Sequence, residues 1–323
     1  MTEAAEASDL TYFALAATAA SPPVRETQRQ APGELPDVLG GRYKIERLLG
    51  VGGMGAVYRA RDLLREQFGD PEPYVALKTL SDDFAEYPDA NALLYSEFAL
   101  TSRLNHQHVV RLFGFEVDTT CERAFITLEL MRGLTLDQLL CERPEGLPWD
   151  ELRSIAIALL DALAYSHELG VLHGDLKPSN VMLAEDGLRL FDYGLGQPVE
   201  GLLPGLPRLC RNRIAAWTPR YAALELLEGA ALSAAADVYA VACVLVELAG
   251  GQHPFRRLSA KQAKSMELDK QLQRPAQVPL HCWQALRTAL AFDEGQRQIG
   301  CSELLEAFRR PPASRLQRWL GRA

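Results

Sequence analysis

Residues 173–180 read His-Gly-Asp-Leu-Lys-Pro-Ser-Asn, and this octapeptide decides how the rest of the chain is interpreted. It brings a carboxylate, an ammonium group and a carboxamide close together, at Asp175, Lys177 and Asn180. A carboxylate can orient an attacking hydroxyl and accept its proton, a cation can neutralise a phosphate, and a carboxamide oxygen can bind a hard metal ion. The octapeptide therefore predicts phosphoryl transfer, with Asp175 as the catalytic base.

A second oxygen ligand follows on a glycine turn. Asp192 opens the sequence Asp-Tyr-Gly, and its carboxylate is a ligand that Mg²⁺ or Mn²⁺ prefers. An isolated aspartate is more often a turn residue or a helix cap. In combination with Asn180, however, it favours a metal site at which both residues hold the divalent ions that accompany ATP.

A glycine-rich segment lies upstream, with Gly50, Gly52 and Gly55 at the spacing G-x-G-x-x-G. Glycines let the backbone fold tightly over phosphates and offer unobstructed amide donors. The same spacing opens dinucleotide-binding helices, but here strand-like sequence follows. Lys78 ends the next strand pattern, Val-Ala-Leu-Lys, where it can bind the α- and β-phosphates.

Glu97 lies in the helical pattern of residues 90–104, where its carboxylate is predicted to pair with Lys78. A glutamate on a helix is more often only solvated. Glu86 is the rival partner, but it precedes Pro88 and the helix proper. We therefore expect Glu97 to fix the position of Lys78.

The element order predicts an α+β fold with a small β-rich N-lobe and a larger α-helical C-lobe. Further strands are expected at residues 109–116 and 124–130, and helices at 149–169, 234–249, 280–292 and 302–309. The insertion at residues 64–73 is expected to form an exposed hairpin loop. The predicted domains are a disordered leader at 1–38 with a short helix around Leu10–Ala17, a domain at 39–310 (N-lobe about 41–131, C-lobe about 132–310) and a basic tail at 311–323.

Composition excludes several classes of protein. The chain has 323 residues and a formal net charge of −8, which argues against nucleic-acid binding. Its 6 cysteines form no C-x-x-C pair, so we expect reduced, buried thiols and no zinc site. The N-terminus lacks the basic start of a signal peptide, and no apolar run is long enough to span a bilayer. A cytoplasmic protein without a transmembrane segment is predicted.

These motifs resemble those of the protein kinase superfamily over about residues 42–310, and they are most similar to its bacterial, eukaryotic-like Ser/Thr branch. The resemblance implies the bilobal protein kinase fold and transfer of the γ-phosphate of ATP to protein Ser/Thr hydroxyls. It implies that Thr218 hydrogen-bonds Asp175 and Lys177, so that these three form the catalytic set. Lys177, two residues after the base, matches the Ser/Thr form of the loop.

The resemblance also implies a set of nucleotide-binding residues. They are Leu49, Gly50, Gly52, Gly55, Val57, Ala76, Lys78, Glu97, Leu128, Glu129, Met131 and Met182, with Asn180 and Asp192 for the metal. In this set Leu128 is the gatekeeper, Glu129–Met131 the hinge that meets adenine, and Val57, Ala76 and Met182 sandwich the ring. Further implied roles are a regulatory spine of Thr101, Leu112, Tyr193 and His173, a loop anchor at Asp237 and an ion pair between Glu225 and Arg297.

The sequence departs from the commonest family pattern in ways that bear on regulation. Tyr193 replaces a phenylalanine, and Ala223-Leu224-Glu225 replaces Ala-Pro-Glu. Gly174 stands where many protein kinases carry an arginine that binds the phosphate of a phosphorylated activation loop. No Ser or Thr occurs between Asp192 and Trp217. We therefore expect an enzyme that does not require phosphorylation of this loop.

Two other functions stay open at this point. A small-molecule kinase of the aminoglycoside phosphotransferase type also begins its loop with His-Gly-Asp, but usually carries His where Lys177 stands. A pseudokinase scaffold generally lacks one of Lys78, Asp175, Asn180 or Asp192, and none is missing. The predicted partners are protein substrates, a cognate phosphatase and a phosphothreonine-binding domain, for which Thr27 in the leader is a candidate docking point.

Overall fold

The computed structural model of the chain describes residues 35–51, 55–80, 90–194, 196–199 and 218–311. Within these ranges the chain divides into two compact units. The first holds the described residues up to Asn105, together with Val110–Arg132 and those of 193–199. The second holds His106–Val109, Gly133–Asp192 and the described residues from Thr218 onward.

The first unit is built on a six-stranded antiparallel sheet in the order β1-β2-β3-β4-β6-β5. Its strands are β1 Val38–Leu39, β2 Tyr43–Val51, β3 Gly55–Asp62, β4 Tyr74–Leu80, β5 Leu112–Asp118 and β6 Arg123–Leu128. Its helices are α1 Leu63–Gln67 and α2 Ala90–Thr101. Leu93, Leu94 and Leu100 of α2 are buried at helical spacing, which gives the helix one apolar face.

The outer face of this sheet is covered by the chain that leads into β2. A buried apolar cluster includes Leu39, Leu77 and Phe125, and Leu35 packs against it. The Gly40 amide donates to Asp118 Oδ2 at 2.7 Å, which ties the strap to the end of β5. The pKa of Asp118 falls to about 2 because the amide of Gly40 and the groups of Thr120 bind its ionised form.

The expectation of a hairpin loop at residues 64–73 is wrong, because the insertion begins with α1. The side chain of Asp62 accepts the amides of Leu64 and Arg65 at 3.1 and 3.3 Å. Asp62 is itself held by two hydrogen bonds from the Arg42 guanidinium, at 2.8 and 2.6 Å. A buried N-cap of this kind stabilises even a five-residue helix.

The second unit is mainly helical. Its helices are α3 Leu136–Glu142, α4 Trp149–Glu168, α5 Leu224–Leu227, α6 Ala234–Gly250, α7 Ala260–Ser265, α8 Leu280–Ala289 and α9 Cys301–Arg309. Short 3₁₀ helices occur at Pro178–Asn180, Leu268–Gln271 and Glu294–Gln296. The strands are β7 Gly133–Thr135, β8 Val171–Leu172, β9 Val181–Ala184 and β10 Gly187–Leu190, of which β10, β9 and β7 form an antiparallel sheet. A short strand β11, Gln197–Pro198, belongs to the first unit.

Helix α6 forms the centre of the second unit. Its residues from Ala236 to Ala249 are buried, so the helix is apolar on all sides. Ser233 caps its first turn by accepting the Ala236 amide, and Gly251 ends it in the left-handed conformation at φ +69°. Buried within this apolar helix are two carboxylates, Asp237 and Glu247, and both take part in the sites described below.

The described helices and cysteines bear on two further expectations. None of the described helices combines the length and apolarity that a bilayer crossing requires. Cys243, Cys282 and Cys301 are buried free thiols, but Cys121 and Cys141 are exposed, so the expectation of uniformly buried cysteines is wrong. Cys210, Thr27 and the predicted helix at Leu10–Ala17 lie outside the described residues.

Candidate active site

The catalytic loop lies between β8 and β9 of the second unit, and its charged groups contact one another. Lys177 Nζ lies 2.8 Å from Asp175 Oδ2 and donates to Thr218 Oγ1 at 3.1 Å. The Thr218 amide donates to Asp175 Oδ1 at 3.1 Å. Asn180 Nδ2 donates to the carbonyl of Asp175 at 2.9 Å. The structure thus brings together the three predicted catalytic residues and one of the two predicted metal ligands.

The backbone of this loop is held by a carboxylate of α6. Asp237 is 1% exposed and accepts the amides of His173 and Gly174 at 2.8 and 2.9 Å. His167, near the end of α4, binds the same carboxylate through Nε2 at 2.9 Å. Burial raises the pKa of Asp237, but the bonds from His167 and the Gly174 amide outweigh it, so the net shift is downward. An ionised carboxylate therefore fixes the backbone next to Asp175.

His173 fixes the same turn from inside the loop. Its Nδ1 accepts the Asp175 amide at 3.3 Å, so the proton of the ring lies on Nε2. Nε2 donates to the carbonyl of Phe191 at 3.1 Å, one residue before Asp192. The ring thereby links the catalytic loop to the segment that carries the second metal candidate.

The pKa of Asp175 is raised, first because the carboxylate is buried and also because the negative charge of Asp192 lies close to it. Lys177 and the Thr218 amide act in the opposite direction. A carboxylate with a raised pKa is a stronger proton acceptor than an ordinary aspartate, which suits a general base.

Two backbone conformations in this region explain residue choices. Gly174 has φ +81°, in the left-handed region that favours glycine. Asp192 has φ +66°, an uncommon conformation for a residue with a side chain, and such strain is often found at functional sites. The sequence comparison with family patterns noted Gly174 only as a missing arginine, whereas the backbone itself favours a glycine there.

In the first unit, the predicted ion pair between Lys78 and Glu97 is formed. Lys78 Nζ donates to both carboxylate oxygens of Glu97 at 2.7 Å. Both side chains are largely shielded from solvent, with exposures of 15% and 11%. The rival Glu86 lies outside the described residues.

The register of the sheet brings several predicted nucleotide-binding residues to one face. Val57 of β3 lies opposite both Gly50 and Lys78, and Ala76 of β4 lies opposite Leu128. Directly opposed residues in an antiparallel pair share a face, as do residues two apart on a strand. All five side-chain positions therefore lie on the same side of the sheet.

The remaining predicted residues lie at the following places. Leu49 is on β2 and 41% exposed, Gly55 begins β3, and the Glu129 side chain and amide bind the backbone of Arg111. Met131 follows in the same unit, Met182 lies on β9 of the second unit, and Gly52 is outside the described residues. Thr101, His173 and Tyr193 of the implied spine are buried, and Leu112 is half-buried. The Arg297 guanidinium binds Glu225 at 2.6 and 3.2 Å.

His167 is a site residue that the sequence analysis missed. It lies on the apolar α4, near its end, and no motif around it indicates a role. Its contact with Asp237 joins residues 70 positions apart in the chain. Only the tertiary structure brings these two residues together.

Comparisons with known proteins agree with this geometry. The family model for the protein kinase domain matches residues 43–307. The chain is 33% identical over 275 residues to the serine/threonine-protein kinase PkaA of Streptomyces coelicolor, covering 80% of this chain and 48% of that protein. It is 30% identical over 274 residues to PknD of Mycobacterium tuberculosis, covering 82% of this chain and 39% of that protein. The chain thus spans less than half the length of these relatives.

A solved structure is similar over nearly its whole length. The crystal structure of the Mycobacterium tuberculosis PknI kinase domain matches with a TM-score of 0.62 and 26% identity, covering 87% of this chain and 98% of that one. The strand-rich first unit and the helical second unit are those of the bilobal kinase fold. The chain therefore belongs to the protein kinase family, among the bacterial eukaryotic-like Ser/Thr kinases.

Proposed function

We propose that this chain transfers the γ-phosphate of ATP to Ser and Thr hydroxyls of proteins, without requiring phosphorylation of the segment between Asp192 and Trp217. The observation that carries the proposal is the buried network in which Asp175 contacts both Lys177 and the Thr218 amide. Family membership and the named relatives support the same reaction.

The residues of the network divide the work of the reaction. Asp175 accepts a hydrogen bond from the attacking hydroxyl and then its proton, as the new O–P bond forms and the bond to ADP breaks. Lys177 neutralises negative charge on the transferred phosphoryl group. Thr218 holds both side chains in register, and Lys78, fixed by Glu97, orients the α- and β-phosphates.

The donor atoms near Asp175 fit a divalent metal ion that arrives with ATP. Asn180 uses its amide nitrogen within the loop, which leaves Oδ1 as a ligand, and Asp192 supplies a carboxylate. Among the described residues there is no cluster of three His, Cys, Asp or Glu that could hold a metal alone. Mg²⁺ is commonly bound by one or two protein oxygens together with substrate phosphates. When bound here, Mg²⁺ or Mn²⁺ would neutralise charge that develops on the phosphates.

Independence from loop phosphorylation is supported by two features of the unphosphorylated chain. The ion pair between Lys78 and Glu97 is formed, and the contacts among Asp175, Lys177 and Thr218 are complete. Gly174 offers no cation to receive a phosphate, and its amide is already bound by Asp237. The cytoplasmic location, the cognate phosphatase and the phosphothreonine-binding partner remain predictions.

The test compares the purified wild type with Asp175→Ala on a generic Ser/Thr protein substrate and radiolabelled ATP. The variant should lose about 10²–10⁴-fold in turnover, the usual effect of removing a positioned base. Binding of Mg-ATP, measured as thermal stabilisation, should be retained. Asp269→Ala, an exposed aspartate of the same unit, is the matched control and should keep full turnover.

Two outcomes would contradict the proposal. One is near-normal transfer by Asp175→Ala. The other is a wild type that phosphorylates an aminoglycoside but no protein hydroxyl, which would favour the small-molecule kinase. Transfer that persists unchanged in EDTA would contradict the metal assignment to Asn180 and Asp192.

A further inference from the structure

The loop after α6 contains two consecutive arginines in an unfavourable backbone conformation. Arg256 and Arg257 have φ values of +55° and +61°, in the left-handed region that residues with side chains rarely adopt. Backbone strain of this kind persists only where surrounding contacts enforce it, and it is concentrated at functional sites. The contacts that enforce it here can be identified.

His253 holds the strained loop in place. Its Nδ1 accepts the amides of Phe255 and Arg257 at 3.1 and 3.3 Å. The pKa of His253 falls to about 3, because the ring is buried and because the charges of Arg220 and Arg257 lie nearby. The ring is therefore neutral and can accept both amides at physiological pH. This buried histidine fixes the direction in which Arg257 leaves the loop.

The guanidinium groups of Arg257 and Arg220 converge, although they come from different segments. Arg257 Nε lies 3.9 Å from Glu247 Oε1 of α6, and its side chain is 69% exposed. Arg220 lies over the ring of Tyr221, 5.6 Å from its centroid. Burial raises the pKa of Glu247, while the charges of both arginines lower it, so both lie near that carboxylate.

The charges at this point do not cancel. Glu247 is 2% exposed, and its Oε2 already accepts the Tyr221 hydroxyl at 2.5 Å. A buried, hydrogen-bonded carboxylate is poorly placed to bind an incoming cation. Two guanidinium groups thus surround one carboxylate, and the surface they form carries excess positive charge on a chain whose net charge is −8.

This positive surface lies next to the reacting groups. Arg220 follows Thr218 by two residues, and the Thr218 amide binds Asp175. Two residues of extended chain span at most about 7 Å. A substrate whose hydroxyl reaches Asp175 must therefore lay its neighbouring residues close to Arg220.

We propose that Arg220 and Arg257 form an anion-binding site that selects protein substrates with a negatively charged side chain beside the phosphorylated Ser or Thr. This inference rests on the proposed kinase function and names the substrate class. Guanidinium groups bind carboxylates and phosphates alike, so the anion is either an acidic residue or a residue phosphorylated beforehand.

The test uses the purified full chain and a series of synthetic peptides with one threonine acceptor. Glu, phosphoserine, Gln or Lys is inserted at each flanking position in turn. At the preferred position, kcat/KM for Glu or phosphoserine should exceed that for Gln by about tenfold, since each exposed charge pair contributes up to about fivefold. The gain should lie mainly in KM, and raising the salt concentration should reduce it.

Substitutions locate the effect. Arg220→Gln and Arg257→Gln should each reduce the ratio of kcat/KM between Glu and Gln peptides, and Arg257→Lys should restore part of it. Arg287→Gln, an exposed arginine on α8, is the matched control and should keep the ratio. A phosphoserine peptide that exceeds the Glu peptide would identify prior phosphorylation as the source of the anion. The opposite order would identify acidic residues.

The outcomes separate this inference from the function beneath it. Peptides that are phosphorylated equally well whatever their charge, or a preference for Lys, would overturn the anion site and leave the kinase function standing. An anion preference that both arginine variants retain would overturn the residue assignment. If no peptide of any charge accepts phosphate, the proposed function and the inference both fail. Should an arginine variant not fold, the salt dependence of the wild-type ratio still decides.

Discussion

The catalytic loop at residues 173–180 and the glycine segment at residues 49–55 are held in contrasting ways. The catalytic loop is buried, with Asp175, Lys177 and Asn180 less than 10% exposed and bonded to one another. In the described part of the glycine segment, Leu49 and Val51 are 41% and 63% exposed. The groups that would act on the transferred phosphate are thus preorganised, while the segment that would cover the nucleotide presents its side chains to solvent.

This difference has a physical origin. Charged side chains can be buried only when partners satisfy them, so the catalytic loop requires Asp237, His167 and Thr218. A phosphate-binding segment works through backbone amides, which need an unobstructed approach more than buried partners. Substitutions that add bulk should therefore separate places where backbones touch from places that are open.

The largest effect is expected from Gly55→Ala. A Cβ at Gly55 would lie 1.9 Å from the carbonyl oxygen of Thr79 on β4, so the two strands would have to separate. We expect a loss of about 3 kcal/mol in the free energy of unfolding, the upper range for forced overpacking. Urea unfolding monitored by circular dichroism measures it.

Gly50→Ala is the matched control for Gly55→Ala. Nothing lies within 4 Å of a Cβ built at Gly50, and its φ is not in the left-handed region. Its effect on the free energy of unfolding should stay below about 1 kcal/mol. Equal losses in the two variants would contradict the contrast between close contact at one end of the segment and open space at the other.

A smaller effect is expected from pH, and it should separate the two units. The pKa of His253 is about 3 in the folded second unit and about 6.5 when unfolded, so between these values only the unfolded chain binds the proton. Lowering the pH from 7 to 5 should therefore cost that unit about 2 kcal/mol. In the first unit the pKa of Asp118 is about 2, and its stabilisation is lost only below about pH 4.

Amide hydrogen exchange, corrected for the intrinsic rate at each pH, measures this difference. Protection around α6 should fall at pH 5 before protection in the β1–β6 sheet does. His253→Asn keeps an acceptor near the position of Nδ1 but does not titrate, so it should lose less stability than the wild type over the same pH range. An identical pH dependence in this variant would exclude His253 as the cause.

The sequence predicted the parts of the site that consist of closely spaced residues. Asp175, Lys177 and Asn180 lie within one octapeptide, and the ion pair of Lys78 with Glu97 followed from a strand and the next helix. The bilobal fold was readable because hydrophobic periodicity changes from strand-like to helical along the chain. These features depend on local sequence, which a single chain displays.

Contacts between distant segments were not predicted. His167 reaches Asp237 across 70 residues, and His253 acts by accepting amides of a strained loop that has no sequence signature. Helix α1 was taken for a loop, because its five residues depend on the cap from Asp62, which Arg42 holds in turn. In each case a buried polar contact, invisible in the local pattern, determines the structure.

The central claim is that the catalytic network is complete in the unphosphorylated chain, and a time course tests it most directly. The purified kinase is treated with a phosphatase, the phosphatase is removed, and phosphate transfer to an external Ser/Thr substrate is followed from time zero. We predict a linear rate from the first time point, with any autophosphorylation mapping to residues 1–40. A lag that disappears after preincubation with ATP, together with phosphate on Thr218, would contradict the claim.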